Sequence, residues 1–343
     1  MRMIRTLSVP TACIAALALA GCGSSSSSGS SSPRTSSIGT TSPSAAFPVT
    51  IDSSVGTATI TKQPQRVVAI GWGSQDAALA LGVKPVGMQD MTGNTGNNTG
   101  ILPWDKAKLG TSKPELINYV SDKVPYEQIA ALHPDVILAV DSGLTKTEWS
   151  QLNHIAPTVG YPGVAWQTSW QDQIGIVGKA LGRTSEAAAL EKSTNALISK
   201  ARADHPEFRG KTVAFGSGTA TDSFNLYLAS DSRVQLLKEL GFTISSSMPK
   251  SGTSFAVPLS LERLDTIDSD VLVSWYLSSG VQKSLEGSPL FKRMPAVRRH
   301  GYVPITDPAM VFATSSVTVL SLPWMLDRYL PLLSKAADGK ASS

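Results

Sequence analysis

The sequence predicts an α/β protein with two lobes that one long helix joins. Short β-rich apolar runs alternate with helical patterns, which is typical of βαβ units and largely parallel sheets. The two halves resemble each other, since RVVAIGWG at 66–73 parallels KTVAFGSG at 211–218. Between the halves, the segment 184–204 has a helical composition that is uninterrupted until His205-Pro206.

The first 21 residues are predicted to be a signal peptide. Arg2 and Arg5 precede an apolar run at 12–20, which is too short to span a bilayer and fits the apolar region of a signal sequence. The run leads into Leu-Ala-Gly before Cys22, an order that resembles a bacterial lipobox. It predicts cleavage before Cys22 and acylation of its thiol; the alternative is an ordinary thiol at a plain cleavage site. Cys13 would leave with the signal, so we expect no disulfide in the folded part.

A flexible tether is predicted at 22–46, where Ser, Gly, Thr and Pro dominate. Such a segment buries too little apolar surface to order itself. A lipidated Cys22 followed by this tether predicts a globular protein anchored to the outer face of a membrane.

The N-terminal lobe is predicted at 47–183. Strands are expected at short apolar runs, and helices where apolar residues recur at helical spacing. The predicted strands are Val67–Ile70, Val86–Gly87, Val136–Ala139 and Thr158–Val159, and the predicted helices are Asp76–Leu81, Tyr126–Leu132, Glu148–Ile155 and one after Trp170.

The connecting helix is predicted at 184–205, the C-terminal lobe at 206–335 and a short tail at 336–343. Thr184 is the expected N-cap of the connecting helix. Its length of about 30 Å would make it a stiff strut that permits only small relative motion of the lobes. In the C-terminal lobe, the predicted strands are Val213–Phe215, Phe242–Ile244, Val271–Ser274 and Tyr302–Pro304, and the predicted helices are Val234–Leu240, Leu259–Ile267 and Val317–Tyr329.

The composition excludes several classes of protein. The 343 residues include 30 Lys and Arg against 26 Asp and Glu, and basic residues form no run. This near balance lacks the electrostatic footprint of a nucleic-acid-binding protein. Because 41% of the residues are hydrophobic and only 16% are charged, the chain as a whole is neither disordered nor a coiled coil. We expect a monomer with no nucleic-acid partner.

The motifs of nucleotide binding and hydrolysis are incomplete. Gly71-Trp72-Gly73 follows a predicted strand, as a dinucleotide-binding turn does, but the third glycine is missing and Asp76 would oppose a pyrophosphate. No G-x-S-x-G segment occurs, and the four histidines lack metal-ligand spacing. The sequence therefore predicts no enzyme, no cofactor and no metal ion held directly by protein side chains.

Large aromatic residues gather near the ends of the predicted strands. In open α/β sheets the loops at the carboxyl ends of the strands form the binding crevice. Rings there suit a bulky, partly apolar small molecule, although burial in the core is the alternative for each ring. Phe224 and Tyr227 are placed in a loop after the strand Val213–Phe215. The predicted ligand-binding residues are Trp72, Trp104, Trp166, Phe224, Tyr227, Arg233, Trp275, Tyr276 and Phe312.

Five segments are similar to a known family. They are QRVVAIGWGSQDAALALGVKPVG at 65–87, VPYEQIAALHPDVILA at 124–139, PLSLERLDTIDSDVLVSW at 258–275, SPLFKRMPAVRRHGYVPI at 288–305 and the closing LPWMLDRYL at 322–330. They resemble the substrate-binding lipoproteins of ABC importers for ferric siderophores, haem and cobalamin. The resemblance implies two Rossmann-like lobes joined by one long helix, which is the class III periplasmic-binding-protein fold. It also implies a lipid-anchored protein on the outer face of the cell membrane, in the periplasm or extracytoplasmic space.

The resemblance implies partners for the chain as well. In this family a Glu on each lobe pairs with arginines of the membrane permease, and the matching residues are Glu127 and Glu262. A solvated Glu at a helix start is the alternative for both. We therefore expect the ABC permease and its ATPase to be the protein partners.

The ligand implied by the resemblance is a ferric siderophore or a similar bulky chelate. Catecholate binders tend to have several Arg or Lys residues in the cleft, whereas here only Arg233 is placed there, which favours a near-neutral hydroxamate or mixed-type siderophore. Haem, with Tyr227 or Tyr276 as its axial ligand, and cobalamin are alternatives within the same fold. An envelope hydrolase or a sensor on an α/β scaffold is the alternative outside it.

Overall fold

Two β-sheets, one in each half of the chain, form the framework of the protein. The computed structural model describes residues 47–96, 98–119, 123–252 and 254–341. The predicted signal peptide and tether, with Cys22, lie outside the described residues, and so do the last two residues of the predicted tail.

The first half contains a small antiparallel hairpin and a five-stranded parallel sheet. Its strands are β1 (Val49–Asp52), β2 (Thr57–Ile60), β3 (Val67–Ala69), β4 (Gly87–Gln89), β5 (Glu115–Ile117), β6 (Val136–Leu138) and β7 (Thr158–Val159). Its helices are α1 (Ser74–Ala80), α2 (Thr92–Thr95), α3 (Asp105–Leu109), α4 (Tyr126–Ala131), α5 (Lys146–Ile155) and α6 (Trp170–Leu181). The sheet order is β5-β4-β3-β6-β7, and every pair in it is parallel. All five carboxyl ends therefore meet at one edge.

A single helix, α7 (Thr184–Asp204), leads from the first half to the second. It has 21 residues and ends where His205-Pro206 begins a short 3₁₀ turn, as predicted. The predicted N-cap was wrong by one residue, because Arg183 occupies the cap position and Thr184 is already helical.

The second half contains a six-stranded mixed sheet. Its strands are β8 (Thr212–Gly218), β9 (Ser223–Tyr227), β10 (Thr243–Ile244), β11 (Ala256–Ser260), β12 (Val271–Tyr276) and β13 (Tyr302–Ile305). Its helices are α8 (Ser232–Glu239), α9 (Ser279–Gly287), α10 (Pro295–Arg298), α11 (Pro308–Ser315) and α12 (Ser321–Ala337). Since β8 pairs in parallel with β10 and β12, as β3 pairs with β4 and β6, the two halves share a common core.

An antiparallel ribbon distinguishes the second half. The long strand β8 pairs with β10 near its start, but at Gly216 and Ser217 it pairs with β9 in antiparallel fashion, and β9 in turn pairs with β11. The prediction of a loop for Phe224 and Tyr227 was therefore wrong. The helix predicted at Leu259–Ile267 was also wrong, because β11 ends at Ser260 and a 3₁₀ helix at Leu261–Thr266 follows it.

The two halves pack against each other over a continuous apolar core. One cluster of buried side chains includes Trp104 and Trp170 from the first half, and Phe215 and Phe312 from the second. The predicted architecture of two α/β lobes joined by one long helix is confirmed. In the part of the chain that the structure describes, no helix has the length and apolar character needed to cross a membrane.

Candidate ligand-binding cleft

A cavity of about 390 Å³ lies between the two lobes, where the carboxyl ends of their strands face each other. Its size is typical of small-molecule sites, which enclose about 300–1,000 Å³. Eight of the described residues line it: Arg233 is the charged one among them, Gln89 is neutral and polar, and six are aromatic. The aromatic residues are Trp72, Tyr119, Trp166, Tyr227, Phe255 and Trp275.

Two indoles form the wall that the N-terminal lobe contributes. Trp72 follows β3, Trp166 follows β7, and their ring centroids are 5.2 Å apart. Trp166 has a φ of +62°, a backbone conformation that L-residues rarely adopt. A Cβ atom built on Gly143 would lie 2.5 Å from Trp166 Nε1. The indole therefore fits in place because residue 143 has no side chain.

The wall of the C-terminal lobe comes from strand ends. Tyr227 is the last residue of β9 and Trp275 the last but one of β12, and Trp275 Nε1 donates a hydrogen bond of 3.0 Å to the Tyr227 hydroxyl. Phe255 directly precedes β11, and its ring centroid is 5.5 Å from that of Tyr227. The antiparallel ribbon thus places two rings at the cleft.

A buried ion pair lies against these rings. Asp231 caps α8 and accepts hydrogen bonds from the backbone N–H and from Nε of Arg233, at 3.0 and 2.6 Å, while Arg233 Nη2 donates to Asp231 Oδ2 at 2.7 Å. The guanidinium carbon lies 4.6 Å from the ring centroid of Tyr227 and 4.9 Å from that of Phe255. Nη2 also donates to the Trp166 carbonyl of the other lobe, at 3.3 Å.

The charge of this pair is balanced. Burial would lower the pKa of Arg233, but the Asp231 carboxylate more than offsets that effect, with help from Tyr227 and Asp141, and the pKa is raised. Arg233 therefore remains a cation, and the carboxylate bound to it cancels most of its field. The ion pair thus gives the cleft a directional hydrogen-bond donor, the Arg233 guanidinium, without adding a net charge.

Asp141 lies behind the indoles of the N-terminal wall. Its carbonyl accepts a hydrogen bond of 2.7 Å from the Trp72 N–H, and its Oδ1 accepts one of 3.2 Å from the Thr168 N–H. Burial raises the pKa of Asp141 to about 7, although Thr168 and Arg233 act to lower it. Burial therefore favours the protonated form of Asp141 at mildly acidic pH.

A second cavity, of about 510 Å³, adjoins the first, because Trp72 and Trp275 line both. Tyr276 and Phe312 line only the second. Seven of the nine predicted ligand-binding residues thus come together at the two adjoining cavities.

Trp104, by contrast, takes part in a contact between the two lobes. Its Nε1 donates a hydrogen bond of 2.6 Å to Asp76 Oδ2, and the Thr318 hydroxyl of the second half donates one of 2.5 Å to the same oxygen. The Trp104 ring lies 5.1 Å from that of Trp324. Burial raises the pKa of Asp76 to about 7 in spite of these hydrogen bonds. Trp104 is not among the described residues that line either cavity.

Phe224 lies in the protein interior. It is fully buried, and a Cβ atom on Gly216 would lie 2.2 Å from its ring. Because side chains alternate along a strand, Phe224 and Tyr227 point to opposite faces of the sheet, and only Tyr227 reaches the cleft. A ligand role for Phe224 remains a prediction, which its placement does not support.

Three of the described residues that line the first cavity were missing from the prediction. Gln89 ends β4, and Tyr119 lies two residues after β5. The rule that binding residues lie at the carboxyl ends of parallel strands, which led to Trp72, could therefore have found both. Phe255 precedes an antiparallel strand, where that rule does not apply.

The two predicted docking residues are both exposed. Glu127 lies in the first turn of α4, and Glu262 in the first turn of the 3₁₀ helix that leads towards β12. Hydrogen bonds from its own backbone and from Ser260 lower the pKa of Glu262. Both turns lie at the same edge of their sheets as the cleft.

Known proteins with related sequences and folds are described as binding proteins. Streptococcus pneumoniae TIGR4 PiaA, solved in complex with ferrichrome, is 33% identical, with a TM-score of 0.78 and coverage of 84% of this chain and 99% of PiaA. The Fe(3+) dicitrate-binding periplasmic protein FecB of Escherichia coli (strain K12) is 28% identical over 257 residues, which are 74% of this chain and 81% of FecB. The putative ABC transporter substrate-binding lipoprotein YhfQ of Bacillus subtilis (strain 168) is 25% identical over 284 residues, which are 76% of this chain and 82% of YhfQ.

These similarities confirm the family resemblance and the class III fold with two lobes. The model for the family described as periplasmic binding protein matches residues 67–309, which lie in both lobes and include the connecting helix and most of the cleft. The chain therefore belongs to the periplasmic binding protein family.

Proposed function

We propose that the protein captures a ferric siderophore of low net charge, of the hydroxamate or mixed type, and delivers it to an ABC permease. One observation carries the proposal: the first cavity combines six aromatic rings with a guanidinium that Asp231 has already neutralised. An uncharged chelate would bury apolar surface against the rings and accept a hydrogen bond from Arg233. A polyanionic chelate would lose its hydration without meeting an unpaired cation.

We further propose that the siderophore supplies all the ligands of the iron. Among the described residues, no group of three or more His, Cys, Asp or Glu side chains could hold a metal ion. The protein would bind the outer surface of the chelate and carry out no chemistry on it. The stiff helix α7 would limit the relative motion of the lobes as they enclose the ligand.

The relatives support this assignment. PiaA was solved with ferrichrome, FecB is described as binding ferric dicitrate, and YhfQ is described as a lipoprotein of an ABC transporter. By analogy, we propose that Cys22 carries a lipid that holds this protein at the outer face of the cell membrane, and that Glu127 and Glu262 contact the permease.

Quenching of tryptophan fluorescence by a panel of chelates tests the ligand class. We expect ferrichrome to bind, and ferrichrome A, which has the same type of iron centre but carries carboxylates, to bind at least about 100-fold more weakly, a difference of about 2.7 kcal/mol. Ferric enterobactin should bind as weakly as ferrichrome A. Tighter binding of either anion would overturn the charge argument. A haem Soret shift without binding of any siderophore would favour the haem alternative.

Two alanine substitutions test the location of the site. Trp166→Ala and Trp275→Ala should each weaken ferrichrome binding, because each removes an indole from one wall of the first cavity. Unchanged affinity in both variants would refute the site.

Uptake measurements test the docking residues. Charge reversal of Glu127 and Glu262 together, to Lys, should abolish siderophore uptake by cells and leave the affinity in solution unchanged. The matched control reverses Asp52 and Asp327, which are exposed acidic residues in the hairpin and in α12. Wild-type uptake by the Glu127 and Glu262 double variant would refute the docking role.

A further inference from the structure

The second cavity lies alongside the first and is the larger of the two. It extends from Trp72 and Trp275 towards the turn after β12 and the start of α11, where Leu277, Pro308 and Val311 line it. The two cavities border each other at these shared indoles. A molecule that contacts Trp72 and Trp275 is therefore adjacent to both.

The chemistry of the second cavity differs from that of the first. None of the described residues that line it is charged, and its polar groups are the hydroxyls and amide of residues such as Asn94, Ser278 and Thr306. Leu277 is 69% exposed and is one of three large hydrophobic side chains that are exposed among the described residues. Its backbone N–H donates a hydrogen bond of 3.0 Å to the Gly218 carbonyl, which fixes the turn that presents it. The protein thus holds an apolar side chain open to solvent at the rim of the cleft.

We infer that the second cavity receives an uncharged, apolar arm of the same siderophore whose iron centre occupies the first. The inference rests on the proposed function and narrows the ligand to acyl-substituted, amphiphilic chelates. The shared lining at Trp72 and Trp275 argues for one ligand rather than two. The apolar side chains of Leu277, Pro308 and Val311, with no charged side chain among the described lining residues, argue for a hydrocarbon arm. Each methylene buried there would strengthen binding by up to about fourfold.

Two ferric complexes that differ only in the length of an acyl chain test the inference. Ferric N-acetyl-desferrioxamine B and ferric N-decanoyl-desferrioxamine B have the same iron centre and no net charge. We expect the decanoyl complex to bind at least about tenfold more tightly in fluorescence quenching, measured below the concentration at which it forms micelles. Leu277→Asp should remove this difference between the two complexes, because it places a carboxylate where the acyl chain would lie. The matched control is Leu332→Asp, on an exposed leucine of α12 that does not line either cleft cavity in the described structure.

The outcomes separate this inference from the proposed function. Binding of both complexes with equal affinity would overturn the inference and leave siderophore capture intact. If neither complex nor ferrichrome binds, the proposed function itself fails. If Leu277→Asp reduces uptake by cells without changing either affinity, the rim of the cavity is a contact for the permease and the inference is wrong.

Discussion

The two walls of the cleft are built by different means. In the N-terminal lobe, glycines with positive φ, Gly71 at +76° and Gly73 at +88°, flank Trp72, and Gly143 leaves space for Trp166. In the C-terminal lobe, the rings stand at strand ends around the buried Asp231–Arg233 pair. One wall depends on backbone conformations that glycine permits, and the other on balanced charges. Substitutions at the glycines of the first wall should change the shape of the site, whereas substitutions in the charge pair of the second wall should change the stability of the lobe.

The largest expected effect is on the charge pair. Asp231→Asn keeps an N-cap for α8 but leaves the buried Arg233 without its counterion, so the free energy of unfolding should fall by about 3–5 kcal/mol. The double variant with Arg233→Met removes both charges and should lose less. Urea unfolding measures the free energy of unfolding of the single and the double variant. A single variant that is as stable as the double variant would contradict the role given to the pair.

A methyl group at residue 143 tests the opposite wall. In Gly143→Ala the new Cβ must displace the Trp166 indole, so ferrichrome binding should weaken by about 2 kcal/mol, or about 30-fold. Gly163→Ala in the nearby loop is the control, because nothing lies within 4 Å of its Cβ position. Quenching titrations of the two variants should differ. Equal affinities would show that Trp166 does not shape the site.

The buried carboxyl groups are expected to make the free energy of unfolding depend on pH. Burial raises the pKa of Asp141 to about 7 in the folded protein, so this carboxyl group retains its proton between about pH 4 and 7 while the unfolded chain has released it. Its contribution to stability should therefore fall as the pH rises through that window, by about 1.4 kcal/mol per pH unit, and should level off above pH 7. Burial also raises the pKa values of Asp76 and Asp105, and the charge of Asp76 raises that of Asp105 further, so this pair should add to the fall in stability.

The Asp141→Asn variant shows how much of the pH dependence of stability comes from Asp141, the buried carboxyl group behind the cleft. The amide oxygen can still accept the hydrogen bond from Thr168, so the fold is retained, and the slope of unfolding free energy against pH should decrease by about 1.4 kcal/mol per unit. Urea unfolding between pH 4.5 and 6.5 measures it. An unchanged slope would mean that Asp141 is ionised in the folded protein.

The smallest effect concerns a single hydrogen bond. Trp275→Phe removes the donor to the Tyr227 hydroxyl, and ferrichrome affinity should fall by about 1 kcal/mol, or about fivefold. Trp149→Phe removes a comparable bond, from its Nε1 to the Thr158 carbonyl at 2.8 Å, away from the cleft. It should leave the affinity unchanged. Equal losses in the two variants would point to a general effect on stability instead.

Parallel strands were the most predictable part of the fold. The predicted and observed bounds of Thr158–Val159 agree, and β12 begins at Val271 as predicted, because a strand covered on both faces has a continuous apolar run. The ribbon strand β9 was missed, since its sequence, Ser-Phe-Asn-Leu-Tyr, alternates and includes polar residues. That alternation was itself a sign of an antiparallel strand.

The candidate site was predictable only in part. Trp72 and Trp166 were found because they follow strands, and this rule depends on topology alone. Asp231 and Asp141 were missed, because each depends on contacts that the sequence does not show, namely burial against Arg233 and against Thr168. The two cavities are likewise products of lobe packing.

The single passage of the chain through α7 has a consequence for synthesis. Every strand of the first sheet precedes residue 184, so this lobe can form while the rest of the chain is still being made. Its Trp72 and Trp104 rings, however, find their neighbours in Phe312 and Trp324, near the end of the chain. During synthesis the early lobe must therefore present uncovered indoles to its surroundings until the last tenth of the protein is made, and a chaperone that shields aromatic surfaces would be of most use in that interval.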